Sequence, residues 1–180
     1  MWRERPQFSA SLGSDNRYND KKTFSEKELD NLHYELEPSA KAFAENPDPD
    51  ILDVAKNSKN FRHRIALAWS FGKRGVADTM LFDLLTDEHP VVVYAAKNSC
   101  KMIARDVYGK TLDFGPHFDA SEEEKADSRA LWEITLKKYK EIIDKELAKR
   151  DKEGAVSKVG NVAKPPPPKK KTVQEILGIE

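Results

Sequence analysis

Between Thr23 and Ala148, apolar side chains recur every three or four positions, the spacing of helices with one buried face, so the chain reads as all-α. Ser25 and Glu28 form a capping box ahead of the first stripe, and Phe24, before the cap, is placed to staple onto Leu29. Leu29, Leu32 and Leu36 continue that stripe. Pro38 is expected to end or kink the helix, leaving a short Ala40–Ala44 turn before the break at Asn46-Pro-Asp-Pro-Asp50.

Beyond the break the pattern echoes itself. Ile51-Leu-Asp-Val54 returns 30 positions later as Leu81-Phe-Asp-Leu84, each followed by a polar turn, 57–60 and 86–89. Each turn leads into an alanine-bearing helix, Phe61–Phe71 and Val91–Ile103. Ala66, Ala68, Ala95, Ala96 and Ser99 allow close helix approach, while Ile65, Trp69, Phe71, Val92, Met102 and Ile103 fill the layer between. Helix pairs recurring at a fixed spacing predict a short α-solenoid of stacked pairs. Its back cap would be a long helix opened by a second capping box, Ser121 with Glu124, and running to about Ala148. Trp132, Leu136, Tyr139, Ile143 and Leu147 would form its buried face, with the segment Tyr108–Ala120 folded onto the last repeat as a structured loop.

The strings Ala66-Leu-Ala-Trp-Ser-Phe-Gly-Lys-Arg-Gly75 and Leu81-Phe-Asp-Leu-Leu-Thr-Asp-Glu-His-Pro-Val-Val-Val-Tyr-Ala-Ala96 resemble short bacterial HEAT-like repeats, the type also found in phycobilin-lyase-like proteins. The resemblance spans about Asp48–Gly109. The second repeat has Val93 where that family usually has arginine. What the resemblance implies is a compact HEAT-like fold; it specifies an activity much less well.

Composition changes the picture at the two ends. Lys+Arg and Asp+Glu are equal at 31 each in 180 residues, so no global field draws the chain to nucleic acid or anionic lipid. The balance is uneven, however: 149–171 holds eight basic and two acidic residues, leaving an acid excess elsewhere. That basic stretch includes Pro165–Pro168 and Lys169–Lys171 and reads as a polyproline spacer. After it, 172–180 reads as a short docking peptide presenting Val173, Ile176, Leu177 and Ile179. Before the helical domain, 1–22 reads as an extended arm whose isolated aromatics, Trp2 and Phe8, are suited to anchor on a partner. The organisation expected is therefore arm 1–22, helical domain 23–148, linker 149–171 and docking peptide 172–180.

A search for chemistry turns up little. The glycines follow neither a G-x-G-x-x-G nor a Walker pattern, and His33, His63, His89 and His117 lack metal-ligand spacing. His63 and His89, at or near turns, are expected at the surface. Cys100, the single cysteine, excludes an internal disulfide and is expected to be a buried structural thiol. Carboxylates such as Asp48, Asp50 and Asp53 are explained by helix capping. The best nucleic-acid candidate is the cluster Arg62, Arg64, Lys73 and Arg74, with Trp69 available to stack on a base. Apolar runs fall short of a membrane span, and 1–20 lacks a signal-peptide core.

These observations lead to the expectation of a non-catalytic adaptor or structural protein without cofactor or metal, binding protein neighbours in a larger assembly through its ends. Such an assembly would be a viral particle or another multi-chain complex in a reducing, cytoplasmic setting. Two other readings stand beside it: a lyase-like or chaperone-like HEAT protein handling a cofactor-bearing partner, and a nucleic-acid-binding solenoid.

Overall fold

The computed structural model describes residues 24–156, with side chains to residue 150. The anchors Trp2 and Phe8, the proline run, and the docking residues Val173, Ile176, Leu177 and Ile179 lie outside the described residues. Within them are six α-helices, one 3-10 turn and no strand. They are α1 (Glu26–Glu45), α2 (Pro49–Lys56), α3 (Phe61–Arg74), α4 (Thr79–Asp83) followed by the 3-10 turn Leu84–Thr86, α5 (Pro90–Asp106) and α6 (Glu122–Val156).

The starts are set by local chemistry. Ser25 Oγ accepts the Glu28 N–H while Glu28 Oε2 accepts the Ser25 N–H at 2.9 Å, closing the capping box on α1. Asp48, Asn60 and Asp78 each accept the N–H two residues on, starting α2, α3 and α4. Pro49 and Pro90 occupy first helical turns, where a missing donor costs nothing. Gly75 ends α3 at φ 65°, a left-handed conformation open to glycine.

Pro38 neither ends α1 nor leaves a separate 40–44 turn: one helix runs from Glu26 to Glu45. The buried stripe Leu32, Leu36, Ala40, Phe43 continues across the proline, whereas Pro38 is itself exposed. The carbonyl it leaves without a helical donor belongs to Tyr34, an exposed residue on the wet side. Burial of the stripe therefore outweighs one lost hydrogen bond.

α1 and α5 flank α3, α2 packs on α3 as well, and α4 with its 3-10 turn joins α5 to α6. α3 is the centre. Of the residues from Phe61 to Gly72, all but His63 are buried. Small residues permit this. Gly72 lies so near α5 that an added Cβ would come within 2.9 Å of Ser99 Oγ and 3.2 Å of the Ser99 Cα.

The loop 107–121 lies against α5 and α6. Trp132 Nε1 donates to the Gly115 carbonyl at 3.0 Å, Phe114 meets the Trp132 ring edge-on, and Phe118 stacks on Tyr94. The peptide Gly115–Pro116 is cis.

The expected capping box opens α6, with Ser121 N–H donating to Glu124 at 2.7 Å. The helix runs to Val156, past the expected end near Ala148 and into the stretch read as linker. Trp132 and Leu136 are fully buried and Tyr139 and Ile143 half-buried, but every side chain from Asp144 to Arg150 is exposed. α6 thus folds onto the body only as far as Ile143. Leu147, expected on the buried face, is exposed because no element of the described body reaches that far along the helix.

The Gly72–Ser99 contact makes a direct test. G72A should lower unfolding stability by about 1–3 kcal/mol through overpacking. The buried Ser99 hydroxyl has no hydrogen-bond partner, so S99A alone should cost little, and G72A/S99A should lose less than G72A. Urea unfolding of the three variants checks this; a G72A protein as stable as the parent contradicts it.

Candidate interaction surface

The four basic residues singled out from the sequence do not form one open patch. Arg62 and Arg64 point inward and are buried. Arg62 Nη2 pairs with Glu35 of α1. Arg64 grips Asp87 with both ends of its guanidinium, Nε to Oδ2 at 2.8 Å and Nη2 to Oδ1 at 3.0 Å, and also donates to the Ser58 carbonyl. Both members of this pair have side chains less than a tenth exposed. Such a fork is the strong form of a charge-assisted hydrogen bond. Lys73 pairs with Glu37 at 2.6 Å, and Arg74 lies over the Phe71 ring, its Cζ 5.6 Å from the ring centre. Trp69 is in the core, its ring meeting His33 edge-on at 4.6 Å.

These charges lock neighbouring helices together. Glu35–Arg62 and Glu37–Lys73 join α1 to α3, Arg64–Asp87 joins α3 to the turn before α5, and Lys56–Asp83 joins α2 to α4. Arg129 of α6 reaches Asp83 from the other side at 2.8 Å, and Lys125 donates to the Asp87 carbonyl. Partial burial alone would raise the Asp83 carboxyl, but Lys56 and Arg129 overcome it and hold the group below its ordinary value.

His89 is buried, contrary to the expectation of a surface residue. Its Nδ1 accepts the Val91 N–H at the start of α5, and its ring stacks flat on Phe61 at 4.0 Å. Capping one helix and packing against another forces it inside. His63 is partly buried, with Nδ1 2.9 Å from the Ser58 hydroxyl, and this desolvation moves its pKa down. Cys100 is fully buried, as expected, and burial pushes the thiol far up, suppressing the thiolate that nucleophilic chemistry needs.

Among the described residues no group of three or more His, Cys, Asp or Glu is arranged to hold a metal ion. A crevice of about 10 Å³ lies between α5 and the loop, lined by Val93, Tyr94, Lys97, Pro116, His117 and Phe118, with room for one water rather than a substrate. No helix among the described residues is long and apolar enough to cross a membrane.

What α6 leaves uncovered is more informative. Leu131 is 50% exposed, Ile134 67% and Ile142 37%. Leu131 and Trp132 are one residue and roughly 100° apart around the helix, so one is at the surface while the other is in the core. The sequence reading followed the buried stripe of α6 and missed this second one; the signal was available in the spacings of 3 and 8 between Leu131, Ile134 and Ile142.

In comparisons with known proteins, the chain matches no described family, no curated protein and no solved structure.

Two measurements test the ion-pair assignments. R64A leaves Asp87 buried without its cation and should cost about 3–5 kcal/mol, with R64A/D87A costing less than the sum of the single changes. A depressed folded pKa makes Asp83 stabilising above its unfolded value, an advantage lost as pH falls through the folded one. D83N should therefore be less stable than the parent at neutral pH, with the gap closing below about pH 4. Thermal unfolding across pH checks the sign; a gap that widens on acidification contradicts it.

Proposed function

We propose that this protein is a non-catalytic structural or adaptor subunit that holds neighbouring chains in a larger assembly. In this reading its helical body is a short HEAT-like solenoid, with α2/α3 and α4/α5 as successive stacked pairs, α1 in front and α6 as the back cap. The order of packing supports it: α1, α3 and α5 lie side by side, while α2, α4 and α6 each pack beside a member of that row or beside one another. A virus particle or another multi-chain machine is the kind of setting such a subunit suits.

The observation that carries the proposal is the form of α6. A helix serving only to close the core would stop near Ile143, its last half-buried position. α6 instead continues to Val156 and keeps Leu131, Ile134, Ile142 and Leu147 exposed. Apolar side chains held in water on a long rigid element are what a protein-binding surface requires. The inward pairing of Arg62 and Arg64 weighs against a nucleic-acid face built on them, since phosphate contacts would have to displace Glu35 and Asp87.

The tagged full chain and a version lacking 172–180 should be compared in pull-downs from the source cells with mass identification. The full chain should retain a specific protein partner that the truncated chain loses, while both unfold at the same temperature. Equal retention by the two chains would contradict the role assigned to the C-terminal peptide. Binding of generic DNA that weakens steeply with salt would favour the nucleic-acid reading instead.

A further inference from the structure

The exposed stripe on α6 is flanked by charges of opposite sign at its two ends. Asp127 lies one turn before Leu131, and Lys145 and Lys149 lie after Ile142. None of the three has an ion-pair partner among the described residues, and all are exposed. Other charges on the same helix do pair internally, as in Lys137–Glu133 and Lys140–Asp144.

Asp127 and Lys145 are 18 residues apart, which is about five whole turns, so both fall on the same edge of the stripe. Leu131 and Ile142 are 11 apart, about three turns, and share its centre. A stripe that is acidic at one end, apolar in the middle and basic at the other complements itself when reversed. It does not complement itself in parallel, where Asp127 would face Asp127 and Lys145 would face Lys145.

We propose that two copies of this chain associate through the Leu131–Ile134–Ile142 face of α6, paired antiparallel about a two-fold axis between Leu136 and Lys137. In that register Leu131 lies opposite Ile142 of the second copy, and Thr135 opposite Lys138. Asp127 falls within one residue of Lys145 of the second copy, and the symmetry makes each contact twice. Lys138 near the middle fixes the register at a cost in affinity, as a lone polar residue does in a coiled-coil seam. The bodies are kept out of the seam by their position around the helix: Trp132, Leu136, Tyr139 and Ile143 pack on a face roughly 120° from the Leu131–Ile134–Ile142 stripe.

The paired stretch from Asp127 to Ile142 and on to Lys149 is short, and only three apolar residues per copy meet. The dimer should therefore be a weak one, dissociating in the micromolar range or above. This inference goes beyond the adaptor reading and does not need it, because a pull-down can fail while the dimer forms, and the reverse.

Sedimentation velocity of the full chain over a series from about 5 to 500 μM provides the test. A monomer–dimer equilibrium is expected, weakened by salt because the flanking charges are exposed. I134E should remove it. D127K and K145E, each alone, should weaken self-association at least about tenfold, since every reversal places like charges together at two symmetric points. All three positions are exposed, so helix content by circular dichroism should stay as in the parent. Mixing D127K with K145E should restore a mixed dimer, because the new lysine at 127 of one copy then meets the new glutamate at 145 of the other, while Lys145 of the first still meets Asp127 of the second. Three outcomes overturn the proposal: a chain that stays monomeric across the series, a dimer indifferent to I134E and to both reversals, or a mixture that remains monomeric.

Discussion

A helix buried on nearly every side constrains everything around it. From Phe61 to Gly72, α3 leaves only His63 partly open, so its backbone must be approached from several directions by other helices. Burial of Ile65, Leu67, Trp69 and Phe71 supplies the apolar driving force, and Ala66, Ala68 and Gly72 set how near the neighbours can come. The same helix carries Arg62 and Arg64 into that environment. A buried guanidinium is tolerated only with a carboxylate against it, so Glu35 on α1 and Asp87 before α5 are tied to the position of α3. These pairs select one arrangement of the helices more than they add net stability, because the desolvation of each charge offsets much of the attraction.

Much of this was legible in the sequence. The capping boxes at Ser25 and Ser121, the break at 46–50, the alanine-bearing helices and the buried thiol follow from local rules that the surrounding structure does not overturn. The departures share one cause. Pro38, His89 and the two arginines have strong local preferences, for a break, a surface and a solvated face respectively. Each is overridden by a contact with a residue distant in sequence or by continuity of a buried stripe. Arg62 finds Glu35, Arg64 finds Asp87 and His89 finds Phe61, and no spacing rule within one segment announces such partners.

α6 shows how much of the candidate surface could be read. Its buried face was visible as spacings of 3 and 4 from Trp132 onward, and the structure buries that face as far as the body extends. Where the body ends, the rule loses its meaning, and Leu147 is exposed despite its register. The other stripe, through Leu131 and Ile134, lacks strict periodicity because Lys138 interrupts it, so a reading that follows the strongest pattern passes over it. An exposed stripe can be recognised only after the core is known.

The central claim is that α3 anchors the body while α6 beyond Ile143 stands apart from it. Amide hydrogen exchange on the full chain, run dilute, measures this directly. Amides of 63–72 should exchange only through global unfolding, at the slowest rates in the molecule, whereas those of 147–156 should exchange by local opening, orders of magnitude faster. Equal protection of the two segments under dilute conditions, or a faster-exchanging α3, would contradict the account.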